Sequence, residues 1–374
     1  MTRGLYIHIP FCNSICTYCD FYKMIAKDDK KKKYIDYLIK EIEIKKNELV
    51  DIDTIFIGGG TPTSLSDELL SKLINTLFKF IDKDSIKEFS IESNPKDLTI
   101  NKVKLLKELG VNRVSIGVQS FNEEKLKLLG RNHNKIDVLN AISNLKKVGI
   151  NNINIDLIYG TSYDNEGFIK NELDQFYSLD IPHLSFYSLI LEEKTILYNR
   201  YFNDEISLLD EDEESKIYNF LVHDLEKHGY LRYEISNFSK DGFNSLHNLH
   251  YWHEDEYASI GAGASAFIFS HRRKTISNLN KYFNGLDEGK VILEEDEEIS
   301  EDEKMKETFI LGLRLTEGIS ISNFYSRYNI DPLAKFKEEI VKLVCLDLIE
   351  VRDNHIRMKK DKFFLSNLAM MEFV

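Results

Sequence analysis

Through its first half the chain alternates short runs of Ile, Val, Phe and Tyr with longer amphipathic stretches, and this alternation narrows the folds open to it. Strands are expected over residues 5–9, 54–57, 89–93, 113–117, 153–158 and 183–188, each bounded by Gly, Pro or Asn. Helical patterns lie between them. Residues 34–49 carry Ile35, Leu38, Ile39, Ile42 and Leu49 on a recurring face. Another helix begins at Ser66, a good N-cap followed by Asp67 and Glu68 near the positive end of the helix dipole. A third covers 136–148 and stops at Gly149. Such regular alternation implies parallel strands joined by right-handed crossovers. Six units make either an open doubly wound sheet or a partial barrel, and periodicity does not choose between them.

After residue 188 the pattern changes. Residues 210–227 read as a long acidic helix, 233–238 as a short strand, and a loop rich in histidine and aromatics follows. The run Glu294-Glu295-Asp296-Glu297-Glu298, with Glu301, Asp302 and Glu303, reads as a solvated connector or helix start. Beyond it a helix over 304–314, a Gly318-Ile319-Ser320 turn, a helix over 331–345 and a strand pair around 349–358 suggest a small winged-helix-like α+β unit.

The chain has 374 residues, 43% hydrophobic and 30% charged, enough for a sizeable core and more naturally two domains than one. A net charge of −13 argues against a nucleic-acid binder, which needs clustered Lys and Arg. The basic run Lys30 to Lys33 reads as a solvated helix start; its alternative is a patch for a partner or an anionic lipid surface. No apolar run is long enough to span a bilayer, so any membrane contact is expected to be peripheral. The first strand begins by Leu5, leaving no room for a secretory leader, and free thiols point to the cytoplasm.

Those thiols are the most specific chemical signal. Cys12, Cys16 and Cys19 are spaced C-x3-C-x2-C in the loop after the first strand, and the only other cysteine is the distant Cys345. Three clustered thiols are a poor disulfide framework and a good metal site. They suit an iron–sulfur cluster in which one iron keeps open positions where S-adenosylmethionine (SAM) can chelate through its amino and carboxylate groups. Zinc held by the three sulfurs and a histidine such as His8 is the other reading.

Further polar residues gather at the carboxyl ends of the expected strands, where ligands bind in parallel sheets. The second strand ends in Gly58-Gly59-Gly60-Thr61-Pro62, a backbone that can approach a ligand closely or simply make a tight turn. Glu92 and Asn94-Pro95 close the third, Gln119 lies just past the fourth, and Asp156 sits inside the apolar fifth. A carboxylate there needs a partner.

Taken in order, Leu5-Tyr6-Ile7-His8-Ile9-Pro10-Phe11-Cys12, Cys16-Thr17-Tyr18-Cys19-Asp20-Phe21, Gly58-Gly59-Gly60-Thr61-Pro62, Glu92-Ser93-Asn94-Pro95, Ser115-Ile116-Gly117-Val118-Gln119-Ser120-Phe121 and Gly130-Arg131-Asn132-His133 resemble one family. It is the radical SAM family of oxygen-independent coproporphyrinogen III dehydrogenases and their haem-chaperone relatives, and the likeness runs over nearly the whole chain. The resemblance implies a partial (β/α)6 radical SAM barrel over residues 1–230, a haem-motif loop region and connector over 231–295, and the winged-helix-like unit over 296–374. It implies a [4Fe-4S] cluster on Cys12, Cys16 and Cys19 and a cluster-bound SAM contacted by Tyr6, Gly59 and Glu92. Tyr18, Gly60, Thr61, Gln119, Arg131 and Asp156 match positions that hold a second SAM in the dehydrogenases.

Two outcomes compete within that family. A dehydrogenase converts propionates of coproporphyrinogen III to vinyls; a chaperone binds haem and hands it to acceptor proteins, respiratory ones included. Dehydrogenases carry a further cysteine where this chain has Phe21, and a longer segment before the cluster. His247-Asn248-Leu249-His250-Tyr251-Trp252 matches the H-N-x-x-Y-W motif of the haem-binding members. An imidazole can ligate haem iron, and Tyr251 and Trp252 offer flat apolar surface. The chaperone is therefore expected, with SAM, haem and a low-potential electron donor as its small and large partners. A SAM-dependent enzyme acting on haem is a third reading.

Overall fold

All six expected strands form in the computed structural model, which describes residues 3–374; the first two residues of the expected first domain lie outside them. They are β1 (Gly4–Ile9), β2 (Thr54–Gly59), β3 (Glu88–Ser93), β4 (Arg113–Gln119), β5 (Asn152–Tyr159) and β6 (His183–Ser188). Each pairs with the next in parallel, and the order in space follows the order in the chain. A doubly wound sheet must reverse its order at a switch point. Unreversed winding with right-handed crossovers keeps the helices on one face and curls the sheet about the other. The six units are therefore a partial (β/α)6 barrel.

Period-two alternation gives the sheet its two faces. Leu5, Ile7 and Ile9 of β1 are wholly buried with Ile55, Ile57, Phe89 and Ile91 in the core beneath the helices. The intervening Tyr6, Phe56, Glu92, Ser115, Asn154 and Asp156 line the concave side. The helix expected over 34–49 runs instead from Asp28 to Ile44, its acidic first turn taking in the lysine run. Lys31 in that run is buried and donates to Ser64 O at 2.9 Å, so the run is not a purely solvated start. Ser66 caps its helix by accepting from Leu69 N, and Gly149, at φ 80°, ends the helix Lys135–Val148.

Beyond β6 the sheet continues on both flanks. The strand expected over 233–238 is a hairpin, β7 (Leu231–Glu234) and β8 (Asn237–Ser239), laid antiparallel on β6. β9 (Tyr257–Ile260) joins β1 in parallel, and β10 (Ser265–Ile268), β11 (His271–Thr275) and β12 (Leu293–Glu298) follow as antiparallel neighbours, giving twelve strands. Residues 231–295 are thus mostly strand and helix rather than a loop region. Of the acidic stretch expected to be a connector or helix start, Glu294–Glu298 lie in β12, while Glu301, Asp302 and Glu303 do form the first turn of a helix. The β12 carboxylates are drawn into the sheet by basic β11, with Arg272 opposite Glu297, Arg273 opposite Asp296 and Lys274 opposite Glu295.

The C-terminal unit is the expected α+β, winged-helix-like arrangement. Helices Glu301–Gly312, Ile321–Tyr328 and Lys337–Cys345 pack with a small sheet of β13 (Ile319–Ser320), β14 (Ile349–Arg352) and β15 (His355–Met358). The first helix starts at Glu301, earlier than expected, because Ser300 and Glu303 form a capping box. The helix expected over 331–345 breaks at Phe336, whose ring packs against Phe309, Phe324 and Phe373. A single apolar core runs through barrel and C-terminal unit.

Candidate functional site

β1 delivers the chain into the loop that carries Cys12, Cys16 and Cys19. The loop is fastened at its base, where Met24 N donates to Pro10 O at 2.7 Å and Cys12 N to Met24 O at 3.0 Å. Its middle is held by Thr17, whose hydroxyl donates to Leu128 O at 2.7 Å. Cys12 is buried, Cys16 and Cys19 are partly exposed, and all three are free thiols. Thr61 Oγ1 donates to Cys12 Sγ at 3.8 Å and Arg131 Nη1 to Cys16 Sγ at 3.3 Å. Burial pushes the Cys12 thiol up to about 11 and raises Cys19 as well. Binding a metal here must therefore release protons.

The zinc reading does not fit. His8 has no free ring nitrogen, since Nδ1 meets Tyr6 OH at 2.9 Å and Nε2 meets Tyr22 O at 2.8 Å. Among the described residues no three His, Cys, Asp or Glu side chains converge to hold a single ion. A four-iron cluster makes a different demand, since its cysteines bind different irons. Partly open thiols with an arginine and a threonine donating to two of the sulfurs suit that group.

Next to this loop lies a cavity of about 460 Å³, into which Tyr6, Tyr18, Gly59, Glu92, Gln119 and Asp156 project. The glycine run shapes its floor. Gly59 has φ 108°, and a Cβ there would lie 2.4 Å from His8 Cε1. Only glycine fits. Gly59 N donates to Glu92 Oε2 at 2.9 Å, so backbone and carboxylate are held side by side. Gln119 has φ 68°, an uncommon conformation for a side chain of its size, where the ladder shifts between Gly117 and Gln119.

Two buried carboxyls, with Arg113 lining the same cavity, set its electrostatics. Glu92 is raised to about 7, by burial first and by Asp156 second. Burial also raises Asp156, although Asn154 Nδ2 donates to it at 2.8 Å and Ser115 Oγ at 3.2 Å. Two buried carboxyls beside glycine backbone can meet the ammonium and sulfonium of SAM. The other predicted SAM positions stand behind the wall. Gly60 and Thr61 tie the floor to β1 through Gly60 N to Ile9 O and Thr61 N to Phe11 O. Arg131 bridges Cys16, the Asn94 amide oxygen and Gly117 O. Sequence reasoning missed Arg113, Ser115, Asn154 and Ser185, which line the same cavity from alternate strand positions.

The H-N-x-x-Y-W segment forms the helix Leu246–Trp252, capped by Ser245 and by Glu88 of β3. His247 is fully buried, with Nδ1 2.9 Å from Thr54 Oγ1 and Nε2 2.7 Å from Tyr251 OH. Its ring stacks on Phe56 at 5.3 Å, and burial lowers its pKa to about 3. Both nitrogens being engaged, the expectation of an axial iron ligand at His247 is not met in this conformation. The imidazole instead orients Tyr251. That residue lines the SAM-type cavity and a second cavity on its far side, which Trp252 also lines.

Residues 6–171 match the Radical SAM superfamily and 299–361 the HemN C-terminal domain. The haem chaperone HemW of Lactococcus lactis subsp. lactis is 36% identical over 372 residues, covering 100% of this chain and 97% of the relative. The chain belongs to the HemW family. The HemW of Bacillus subtilis is 38% identical, covering 87% of each chain. The solved structure of coproporphyrinogen III oxidase (HemN) from Escherichia coli superposes with a TM-score of 0.86 over 100% of this chain and 90% of that one. At 22% identity this shows a shared fold, partial barrel and C-terminal unit together. A radical SAM domain in a HemW member implies a [4Fe-4S] cluster and SAM.

Proposed function

We propose that this protein is a radical SAM haem chaperone, which binds haem and delivers it to acceptor proteins. The observation that carries the reading is the full-length likeness to HemW chaperones. Phe21, in place of the dehydrogenases' further cysteine, weighs the same way. The thiols of Cys12, Cys16 and Cys19 would hold the cluster. Tyr6, Gly59 and Glu92 would take the amino group and backbone-facing part of SAM, with Tyr18, Gln119 and Asp156 around the rest of it; Gly60, Thr61 and Arg131 hold that floor and the cysteine loop in place. When bound, the cluster and SAM supply one-electron chemistry. The chain's own residues line the cavity and would fix the ligand's charged groups. Tyr251 and Trp252 belong to the haem side, with His247 orienting Tyr251.

Respiratory haem proteins as acceptors, a low-potential electron donor and a cytoplasmic setting complete the reading. No helix among the described residues is long and apolar enough to cross a membrane. The test is an anaerobic haem titration of cluster-reconstituted protein. Saturable binding at one haem per chain, followed by transfer to an apo-haem protein, is expected. Conversion of coproporphyrinogen III under the same conditions would replace this reading with the dehydrogenase.

A further inference from the structure

Trp252 divides two spaces. On one side is the cavity of about 460 Å³ that it shares with Tyr251. On the other is a cavity of about 670 Å³ between the end of the helix Leu246–Trp252 and the C-terminal unit, with Asp255, Glu317 and Ser320 among its walls. The indole is not secured by its own polar atom. Its Nε1 is buried and has no hydrogen-bond partner among the described residues, a costly state for a donor. What covers the ring comes from the C-terminal unit. The guanidinium of Arg314, just past the helix Glu301–Gly312, lies 4.3 Å from the ring centroid as a cation–π contact. Arg314 is anchored in turn by the buried Glu234 of β7 at 3.4 Å. Two residues beyond the ring, Glu254 has φ 57°, uncommon for a glutamate. Its carboxylate accepts Thr308 Oγ1 at 2.6 Å and Tyr328 OH at 3.2 Å and pairs with Arg327 at 3.3 Å. The C-terminal unit therefore grips the backbone on one side of an indole that has open space on two others.

Resting on the haem-chaperone reading, we propose that Arg314 latches Trp252 in a closed position, and that haem uptake requires the indole to swing from the wall of the smaller cavity into the larger one. Each position has a contact that the other forgoes. Closed, the ring has its cation and no partner for Nε1. Open, Nε1 reaches a space lined by Asp255, Glu317 and Ser320, all of which accept hydrogen bonds. Haem then binds only the open fraction, and its apparent affinity is reduced by that fraction. The C-terminal unit acquires a role from this arrangement, because it sets how often the haem side is open.

Trp252 is the only tryptophan of the chain, so fluorescence of the cluster-reconstituted full-length protein reads this ring alone. Arg314→Met removes the cation and keeps the stem. A second variant adds Glu234→Gln, so that no carboxylate is left unpaired, and that side chain still accepts Ser236 N, now at 2.8 Å. In both variants acrylamide is expected to quench Trp252 about twofold more strongly than in the wild type. Ferric haem is expected to bind about threefold more tightly, with the gain returning toward the wild-type value in Arg314→Lys. In the wild type, the haem association rate is expected to level off with haem concentration as the swing becomes limiting. Unchanged quenching in both variants, haem affinity unchanged or lowered in both, or a wild-type rate that stays linear in haem overturns the latch and leaves the chaperone reading intact. Absence of haem binding by the wild-type protein overturns both.

Discussion

Glu88 Oε2 accepts the backbone N–H of Leu246 at 2.8 Å, and this contact joins a barrel strand to the first turn of the helix that carries His247, Tyr251 and Trp252. The other oxygen of Glu88 accepts from Ser245 Oγ at 3.2 Å and His247 N at 3.3 Å. A carboxylate at a helix N-terminus satisfies orphan donors and complements the dipole. Glu88→Ala should cost about 1–3 kcal/mol, the desolvation left by unpaired buried groups. Urea unfolding measures it. The same variant should loosen Trp252, visible as a change in its fluorescence before any unfolding.

The raised Glu92 makes two linked pH predictions. Its folded pKa, about 7, lies above the ordinary 4.5, so the folded state binds the proton more tightly. Its contribution to stability is full below pH 4.5 and lost as pH rises through about 7. Glu92→Gln should flatten that part of the stability profile. A cationic ligand reverses the preference, because it needs the carboxylate ionised. SAM affinity should therefore rise by roughly tenfold from pH 6 to pH 8, and the rise should vanish in Glu92→Gln. Calorimetric titration across that range decides it.

Lys125 and Asp164 form an ion pair of 2.5 Å with both side chains wholly buried, and Lys125 Nζ also donates to Ile158 O at 2.6 Å. The pair clamps the helix Glu123–Leu128 to the end of β5. Lys125→Met strands the carboxylate of Asp164 and should cost about 3–5 kcal/mol. Adding Asp164→Asn should recover part of that loss. Additive losses, the double variant costing the sum of Lys125→Met and Asp164→Asn alone, would show that the pair is not coupled.

His250 sits between Asp53 at 2.9 Å and Asp255 at 2.8 Å, and these two carboxylates raise its pKa above 6.5 against the opposing effect of burial. A raised histidine stabilises fully below its unfolded pKa, and the contribution is lost as pH rises through the folded value. His250→Gln should therefore destabilise more at pH 6 than at pH 9. Melting temperatures at the two pH values give the comparison.

How much of this was legible in the sequence follows from how local each signal is. The grouping of Cys12, Cys16 and Cys19 in one loop after β1 was legible because their spacing is local. The six barrel strands were legible because each is a run of Ile, Val, Phe and Tyr long enough to register. The choice of a barrel was legible only through the family resemblance, since it depends on strand order, which no local pattern encodes. The expected strand over 233–238 merged β7 and β8 into one, and β9 to β11, four or five residues long, are too short for alternation to appear. β12 hid behind its charge, because a row of carboxylates reads as solvated until basic β11 is placed opposite. The inaccessibility of His247 depends on Thr54 and Phe56, far from it in the chain. Arg113 was overlooked because an arginine opening a strand reads as a surface residue, yet here it is buried inside the barrel.

The charge ladder of β11 and β12 also settles what the sheet can do at its end. An outermost strand offers a free row of backbone donors and acceptors to any chain that approaches. Here that row is flanked by Glu294, Glu295, Asp296, Glu297 and Glu298. One basic strand already answers them from within, and a second copy of the molecule would bring only more of the same sign. Edge-to-edge growth is thus self-repelling at neutral pH. Acid, by protonating those side chains, would turn a guarded border into an open one.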